Sequence, residues 1–532
     1  MDAAPAISDD QDAAPPVGPA DALPNFSHGQ ILRVIFGVLL CILLAAIDQT
    51  VVVPAVPAIA ADLHGFGHLS WIVSAYLLTS TSATPIYGRL SDIYGRRALL
   101  LPAIVLFVIA SILCALSQTL WQLIAFRALQ GVGGAGLMAM AQACIADVVA
   151  PRERGKYQAY MAGTWGVASV AGPILGGWIT DDFSWRWIFW INLPIGIGAY
   201  VLSSRALKLL KVRPLPARID YAGAALLTLC VTGLLLVMTW GGTEYSWGSP
   251  QMLGLMLASL VLLAALVWRE LRAPDPMLPP RLFGNSVFTR GVIIASLAAA
   301  AMFGGTFLLP LFFQLVRGAD AATSGTLVVP FLASNVVGAY TAGQLARKLG
   351  KVKAIVLGGL LLSVAGYGLL AFLGDESTRL VTVLDMCVVG FGLGITMPSV
   401  LVIVQNAAER RDVGVATGTL LFLRSMGAAL GSTLVGTLLA ARFASGLGAT
   451  AAAAGIGIGA LRPQEGQPLG LTPAMRDNVL GALTSGFHIA FLACALLAAV
   501  AVLMCIGLRD LELKSSAPRP AQPVTSGSRT SG

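Results

Sequence analysis

Charge is what this chain is short of. Only 11% of its 532 residues are Asp, Glu, Lys or Arg, against roughly a quarter in soluble globular proteins. With 56% of the residues hydrophobic, that scarcity excludes a water-soluble main body. Histidine is scarce as well. The four copies, His28, His64, His68 and His488, are scattered, and none has metal-ligand spacing with a cysteine, so no metal site is expected. The seven cysteines all fall in apolar stretches and read as small packing residues. No phosphate-binding loop in a soluble domain, catalytic nucleophile constellation or nucleic-acid motif is found. An enzyme, a nucleic-acid binder and a self-powered ATPase are thereby disfavoured, no cofactor is implied, and any work must draw on a gradient or a partner.

What the chain has in quantity is long apolar runs. Fourteen are counted, from 33–53 at the start to 485–508 at the end, each near the roughly 20 residues that a membrane helix needs. Helices are expected because a lone helix satisfies its own backbone hydrogen bonds in lipid. The net charge of +8 is explained by its placement. With the N-terminus in the cytoplasm, 26 of the 34 basic residues fall in cytoplasmic segments. Such an excess puts both ends inside the cell.

Two segments repeat. Residues 88–97 read GRLSDIYGRR and residues 343–352 read GQLARKLGKV. At an offset of 259, Gly131, Gly133, Gly155, Gly172 and Gly177 map onto Gly390, Gly392, Gly414, Gly431 and Gly436. Two related halves with a site between them are a common plan for secondary transporters. The expected organisation is therefore a disordered cytoplasmic tail (1–30), a six-helix bundle (31–206), two inserted helices with a linker (207–286), a second six-helix bundle (287–508) with an outside loop at 441–484, and a second tail (509–532).

Two ionisable residues stand out inside spans. Asp48 lies in LAAIDQTVVVPAVPAIAADL, residues 44–63, and Arg127 lies near the start of FRALQGVGGAG, residues 126–136. Charge at membrane depth is costly and usually functional. A carboxylate in a low-dielectric site holds its proton closer to neutral pH, so it can load and release one as its exposure changes. Gln130 shares the helix face of Arg127 at i, i+3. Asp385 is a second acid, and Arg424 a second cation, inside later spans.

These motifs together resemble the major facilitator superfamily. GRLSDIYGRR is similar to its signature between spans 2 and 3, through Gly88, Asp92, Gly95, Arg96 and Arg97. The resemblance implies a conformational latch, with Asp147 as the partner acid at the end of span 4. Arg127 and Gln130 match the span-4 residues associated with proton transfer. GVASVAGPILGG, residues 166–177, looks like the span-5 signature of antiporters, carried by Gly166, Gly172, Pro173, Gly176 and Gly177. Asp48, Thr50 and Pro57 resemble the span-1 pattern of the fourteen-span drug:proton antiporters, with Pro54 as a departure, and FWINLPIG (189–196) resembles the start of that family's span 6.

The resulting expectation is an all-α polytopic membrane protein with the major facilitator fold: two six-helix bundles plus two extra helices, fourteen in all. It exports amphipathic, drug-like compounds in exchange for protons by alternating access. Asp48, Arg127 and Asp385 couple protons or bind substrate, and Thr50, Gln130 and Arg424 line the cavity. The expected partners are a small-molecule substrate, protons and the bilayer. The carrier is expected as a monomer in the cell (inner) membrane, joined by an adaptor protein in a double-membrane cell. An exporter or importer of one metabolite, or a non-transporting membrane receptor, would fit the same spans. With both ends in the cytoplasm, green fluorescent protein fused after residue 510 should fluoresce and alkaline phosphatase fused there should stay inactive. The reverse pattern refutes the orientation.

Overall fold

The computed structural model describes residues 27–63, 70–209, 219–242, 245–319, 321–373, 378–446 and 473–510. In order, the helices are α1 (His28–Asp62), α2 (Ser70–Tyr94), α3 (Arg96–Ala115), α4 (Leu120–Val148), α5 (Pro151–Asp182), α6 (Trp187–Trp190), α7 (Asn192–Ala206), α8 (Tyr221–Trp240), α9 (Pro250–Arg272), α10 (Pro280–Gly284), α11 (Ser286–Leu315), α12 (Ala321–Leu349), α13 (Lys353–Leu370), α14 (Arg379–Ala407), α15 (Val413–Gly446) and α16 (Pro473–Ile506). Among the described residues, twelve helical segments, counting α6 with α7 as one, are long and apolar enough to cross a membrane. Helices α2 and α5 have 25 and 32 residues and carry more polar positions. The chain is thus an all-helical, multi-pass membrane protein.

The helices outrun the apolar runs that foretell them. α1 begins at His28, where Ser27 and Gln30 form a reciprocal capping box, so the expected disordered tail at 1–30 gives way to helix by its last residues. The expected outside loop at 441–484 is helical at both ends, since α15 continues to Gly446 and α16 starts at Pro473. An apolar run marks the hydrocarbon layer, whereas backbone hydrogen bonds carry a helix on through the headgroups. Residues 1–26, 447–472 and 511–532, where the rest of both tails and of the loop were expected, lie outside the described residues, as do His64 and His68.

Buried side chains gather into four cores. One is built wholly from residues 282–508, and two from residues 34–207. The fourth joins Leu78 of α2, Leu227 of α8, Leu266 of α9, and Phe422 and Met426 of α15. The α8–α9 pair therefore wedges against α2 and α15, one from each side of the molecule.

Glycine sets how closely the helices approach, and the contacts recur. Gly131 of α4 lies against the Tyr76 carbonyl and Thr79 hydroxyl of α2, and Gly390 of α14 lies against the Phe331 carbonyl and Ser334 hydroxyl of α12. Gly172 of α5 abuts Thr50 of α1, and Gly431 of α15 abuts Ala300 of α11. Two more contacts cross between the early and late helices at their basic ends. A Cβ on Gly88 of α2 would stand 2.6 Å from the Gly414 carbonyl of α15, and one on Gly155 of α5 would stand 2.5 Å from the Gly343 Cα of α12. Backbones in lipid approach this closely only where side chains are absent. Gly95 is the one residue between α2 and α3, and its φ of 88° is backbone that other residues rarely adopt.

The same end carries a polar strap. Asp275, between α9 and α10, accepts from Arg89 Nη2 of α2 at 3.4 Å, and Arg281 of α10 pairs with Asp412 at 2.8 Å, just before α15. Asp412 is almost fully buried. Burial pushes its carboxyl up, and the Arg281 and Arg411 charges only partly oppose this. Since glycine holds the basic ends together, Gly343→Leu should push them apart. Spin labels at Glu153 and Lys348 should then report longer distances by electron resonance. An unchanged distribution would show that the glycine contact does not set the gap.

Candidate functional site

The two charges singled out in apolar runs meet. Asp48 on α1 is fully buried, and Arg127 on α4 is 1% exposed. Arg127 Nη1 donates to Asp48 Oδ2 at 2.6 Å. The other carboxylate oxygen, Oδ1, accepts from Gln130 Nε2 and Asn192 Nδ2, each at 2.8 Å. Arg127 also donates from Nη1 to Gln130 Oε1 at 2.8 Å and from Nε to the Ile72 carbonyl at 3.2 Å. Its guanidinium lies 4.6 Å from the centre of the Tyr76 ring, within range of cation–π attraction. Each formal charge is thus met by its opposite and by several hydrogen bonds, which is the condition for burying ions.

Three members of this cluster escaped the sequence reading. Asn192 is the first residue of α7, placed by the turn at Ile191 that separates α6 from α7. Its Nδ2 also donates to Ser111 Oγ at 2.9 Å, and Ser111 Oγ donates to the Phe189 carbonyl at 2.9 Å. Tyr76 supplies the ring. The FWINLPIG stretch was noticed, but its asparagine was not. An amide inside an apolar segment is the signal that could have found it. Asn192 Oδ1 is buried with no hydrogen-bond partner among the described residues.

The glycine-proline motif of α5 divides its work. Gly172 seats Thr50, and Gly176 lies against the Val51 carbonyl and Pro54. Both contacts fall within two turns of Asp48 on α1. Thr50 Oγ1 locks the crossing by donating to the Ala168 carbonyl of α5 at 2.9 Å. Gly166 faces the other way, toward Val336 of α12, at 3.1 Å from a Cβ built on it, and Gly177 faces open space. Pro173 lies inside α5 on its exposed side. The motif is thus a seat for α1 and, at one residue, a face toward α12.

Several of the residues expected to form a latch meet at the basic end. Asp92 Oδ1 accepts from the Gly414 N–H at 3.0 Å, and Oδ2 accepts from the Val415 N–H at 2.7 Å. These are the first amides of α15, where unpaired N–H groups and the helix dipole favour an anion. Arg96 Nη1 donates to Asp92 Oδ1 at 2.6 Å, and its Nε donates to Asp147 Oδ2 at 2.8 Å. Gly88 provides the close crossing beside them, and Gly95 the turn. Arg97 stands outside this set, and its Nε is buried without a hydrogen-bond partner among the described residues.

The remaining candidates are not brought to Asp48. Asp385 lies on α14 at 8% exposure. Arg424 lies half-buried on α15, and among the described residues it has no hydrogen bond or ion pair. Asp220 caps α8, accepting from the Gly223 N–H at 3.0 Å and from Arg269 Nη2 at 2.9 Å. Burial works to raise its carboxyl, and these bonds overcome it and hold it below the usual range. Among the described residues no cluster of His, Cys, Asp or Glu could hold a metal.

Residues 38–432 match the Major Facilitator Superfamily. An uncharacterised MFS-type transporter of Mycobacterium tuberculosis is 39% identical over 404 residues, covering 76% of this chain but 58% of that protein's length. The multidrug transporter protein MdtP of Bacillus subtilis is 36% identical over 408 residues, covering 77% of this chain and 75% of its own. Among solved structures, the human organic anion transporter MFSD10 shares the fold, with a TM-score of 0.58 at 15% identity over 88% of this chain and 99% of its own. The proton:xylose symporter XylE gives a TM-score of 0.55 at 15% identity over 92% and 98%. With most of its length matching the family and a relative 36% identical over 77% of it, this chain belongs to the major facilitator superfamily.

Proposed function

We propose that the protein is a fourteen-span, proton-driven antiporter that exports amphipathic, drug-like compounds by alternating access. On this reading α2 and α5 are the two spans beyond the twelve counted on apolarity. The observation that carries the proposal is the buried Asp48–Arg127 pair seated against the glycines of α5. The name of the Bacillus subtilis relative, a multidrug transporter, supports the substrate class.

The two related bundles, 31–206 and 287–508, rock about a central cleft, and the recurring glycine contacts support that division. The crossings of Gly88 with Gly414 and Gly155 with Gly343 close the basic ends, so this conformation opens toward the other side, taken as the cell exterior. A proton entering there reaches Asp48. Protonation removes the counter-charge of Arg127, which keeps Gln130 Oε1 and the Ile72 carbonyl as acceptors. The freed guanidinium then rearranges the α1–α4 contact and, through Thr50, the α1–α5 crossing. Opening of the basic end parts Asp92 from the first amides of α15 and delivers the proton inside. The carrier works as a monomer in the cell membrane with both termini cytoplasmic.

Purified protein in proteoliposomes tests this. Asp48→Asn should lower proton-driven dye export at least tenfold, about 1.4 kcal/mol in barrier terms, and abolish the dye-stimulated proton flux. Full coupling in that variant removes Asp48 as the carrier. Asp48→Ala also strands Arg127 in the interior, a loss of about 3–5 kcal/mol, read as a lower melting temperature. Asp48→Ala combined with Arg127→Leu should recover much of the stability and none of the transport. If the double variant melts as low as Asp48→Ala, the ion pair is not what the site depends on.

A further inference from the structure

Arg424 is a cation in the membrane part of the bundle for which the mechanism above has no use. Its direction follows from its neighbours on α15. Gly427 and Gly431 lie against the Ser296 and Ala300 backbones of α11. Gly418 lies against α2 at Gly88, and Phe422 and Met426 join the core with Leu78 of α2 and Leu227 of α8. Leu430 and Leu434 point outward at 51% and 42% exposure. At about 100° per residue, Arg424, Ala428 and Ser432 occupy the arc left between the α11 side and the α2 side, opposite the outward leucines. All three are half-buried. That arc lies between the contact with α2, an early helix, and the contact with α11, a late one.

The depth of Arg424 sets it apart from the acids. Gln405 Nε2 of α14 donates to Thr417 Oγ1 of α15 at 3.2 Å, which aligns these antiparallel helices. At about 1.5 Å per residue, Arg424 lies about 10 Å further in than that bond, and Asp385 lies about 30 Å further in, so the two are separated by about 20 Å along the axis. Asp92, bonded to Gly414 and Val415, lies about 15 Å away toward the basic end, and Asp412 lies further still in that direction. Asp48 is held by Arg127, Gln130 and Asn192. Among the described residues nothing neutralises Arg424, although a cation in a low-dielectric interior calls for an anion. The position 259 residues earlier, on the corresponding helix α5, is Trp165, which packs partly buried against both cores of residues 34–207.

We infer that Arg424 anchors the anionic group of the substrate, and that the transported class is amphipathic aromatic anions, carboxylates or sulfonates, with the indole of Trp165 offering a stacking surface on the opposite wall. The inference rests on the exporter reading for its cargo but makes a claim about charge that the reading does not contain. The arginine supplies the missing half of an ion pair, and the substrate completes it. An arginine takes a carboxylate or sulfonate through two parallel N–H donors, which a lysine cannot do.

The test uses full-length protein with two probes of one aromatic body and opposite charge, pyrenesulfonate and pyrenylmethylammonium. Binding is read by fluorescence anisotropy in detergent at low salt, and proton-driven uptake is read separately in inverted proteoliposomes. The parent should bind the sulfonate at least tenfold more tightly than the ammonium. Arg424→Gln should lose at least tenfold in sulfonate affinity while its ammonium affinity holds or rises, and Arg424→Lys should fall between. Equal elution of the variants from a sizing column and an unchanged melting temperature separate this from misfolding. A parent that prefers the ammonium, or an Arg424→Gln protein that holds the sulfonate within twofold of the parent, overturns the anion site. Sulfonate binding that depends on Arg424 without proton-driven uptake upholds the site and counts instead against the exporter reading.

Discussion

The cost of placing a carboxylate and a guanidinium beyond the reach of water governs the early half of this molecule. Such a pair persists only if every remaining proton and lone pair finds a partner. Here that demand recruits four helices. α1 brings the acid and α4 the base together with Gln130, while α7 brings Asn192 and α2 offers the Ile72 carbonyl and the Tyr76 ring. Packing alone would hold these helices at many registers. The polar cluster admits one, and any change in its charge is felt by all four.

Glycine supplies what the ion pair cannot, the tight crossings between helices. Thr50 connects the two devices. Its hydroxyl reaches the α5 backbone and its side chain fills the space that Gly172 leaves, two residues along α1 from Asp48. The same economy holds at the basic end, where one carboxylate, Asp92, meets both a helix terminus and an arginine. Because the amides belong to α15 and the arginine to α3, that carboxylate spans the seam between early and late helices.

Much of this was legible in the sequence, for a physical reason. A lone charge in twenty apolar residues is conspicuous, so Asp48 and Arg127 declared themselves, while Gly88, Asp92, Gly95, Arg96, Arg97 and Asp147 were reached through the resemblance to a family signature. Asn192, Ser111 and Tyr76 were not legible, because modest polar residues occur throughout membrane helices and only three-dimensional contact distinguishes those that serve a charge. Gly177 reads like Gly176 in the sequence, yet only the latter meets another helix. Helix ends were misjudged at α1, α15 and α16, since composition reports the solvent around a helix and not the reach of its hydrogen bonds. Arg424 was visible as a residue, while the direction it faces required its neighbours on α15.

The strap at the basic end has one more consequence. Residues 275 and 281 hold opposite banks of the same seam, Arg89 on α2 and Asp412 ahead of α15. The α8–α9 hairpin that leads into them is wedged against α2 and α15 by its own apolar core. A hinge moored on both shores cannot swing while both moorings hold. On the mechanism proposed above, opening the basic end would part Arg89 from Asp275 or Arg281 from Asp412, and the half-exposed Arg281 leaves the second of these pairs open to screening by dissolved salt.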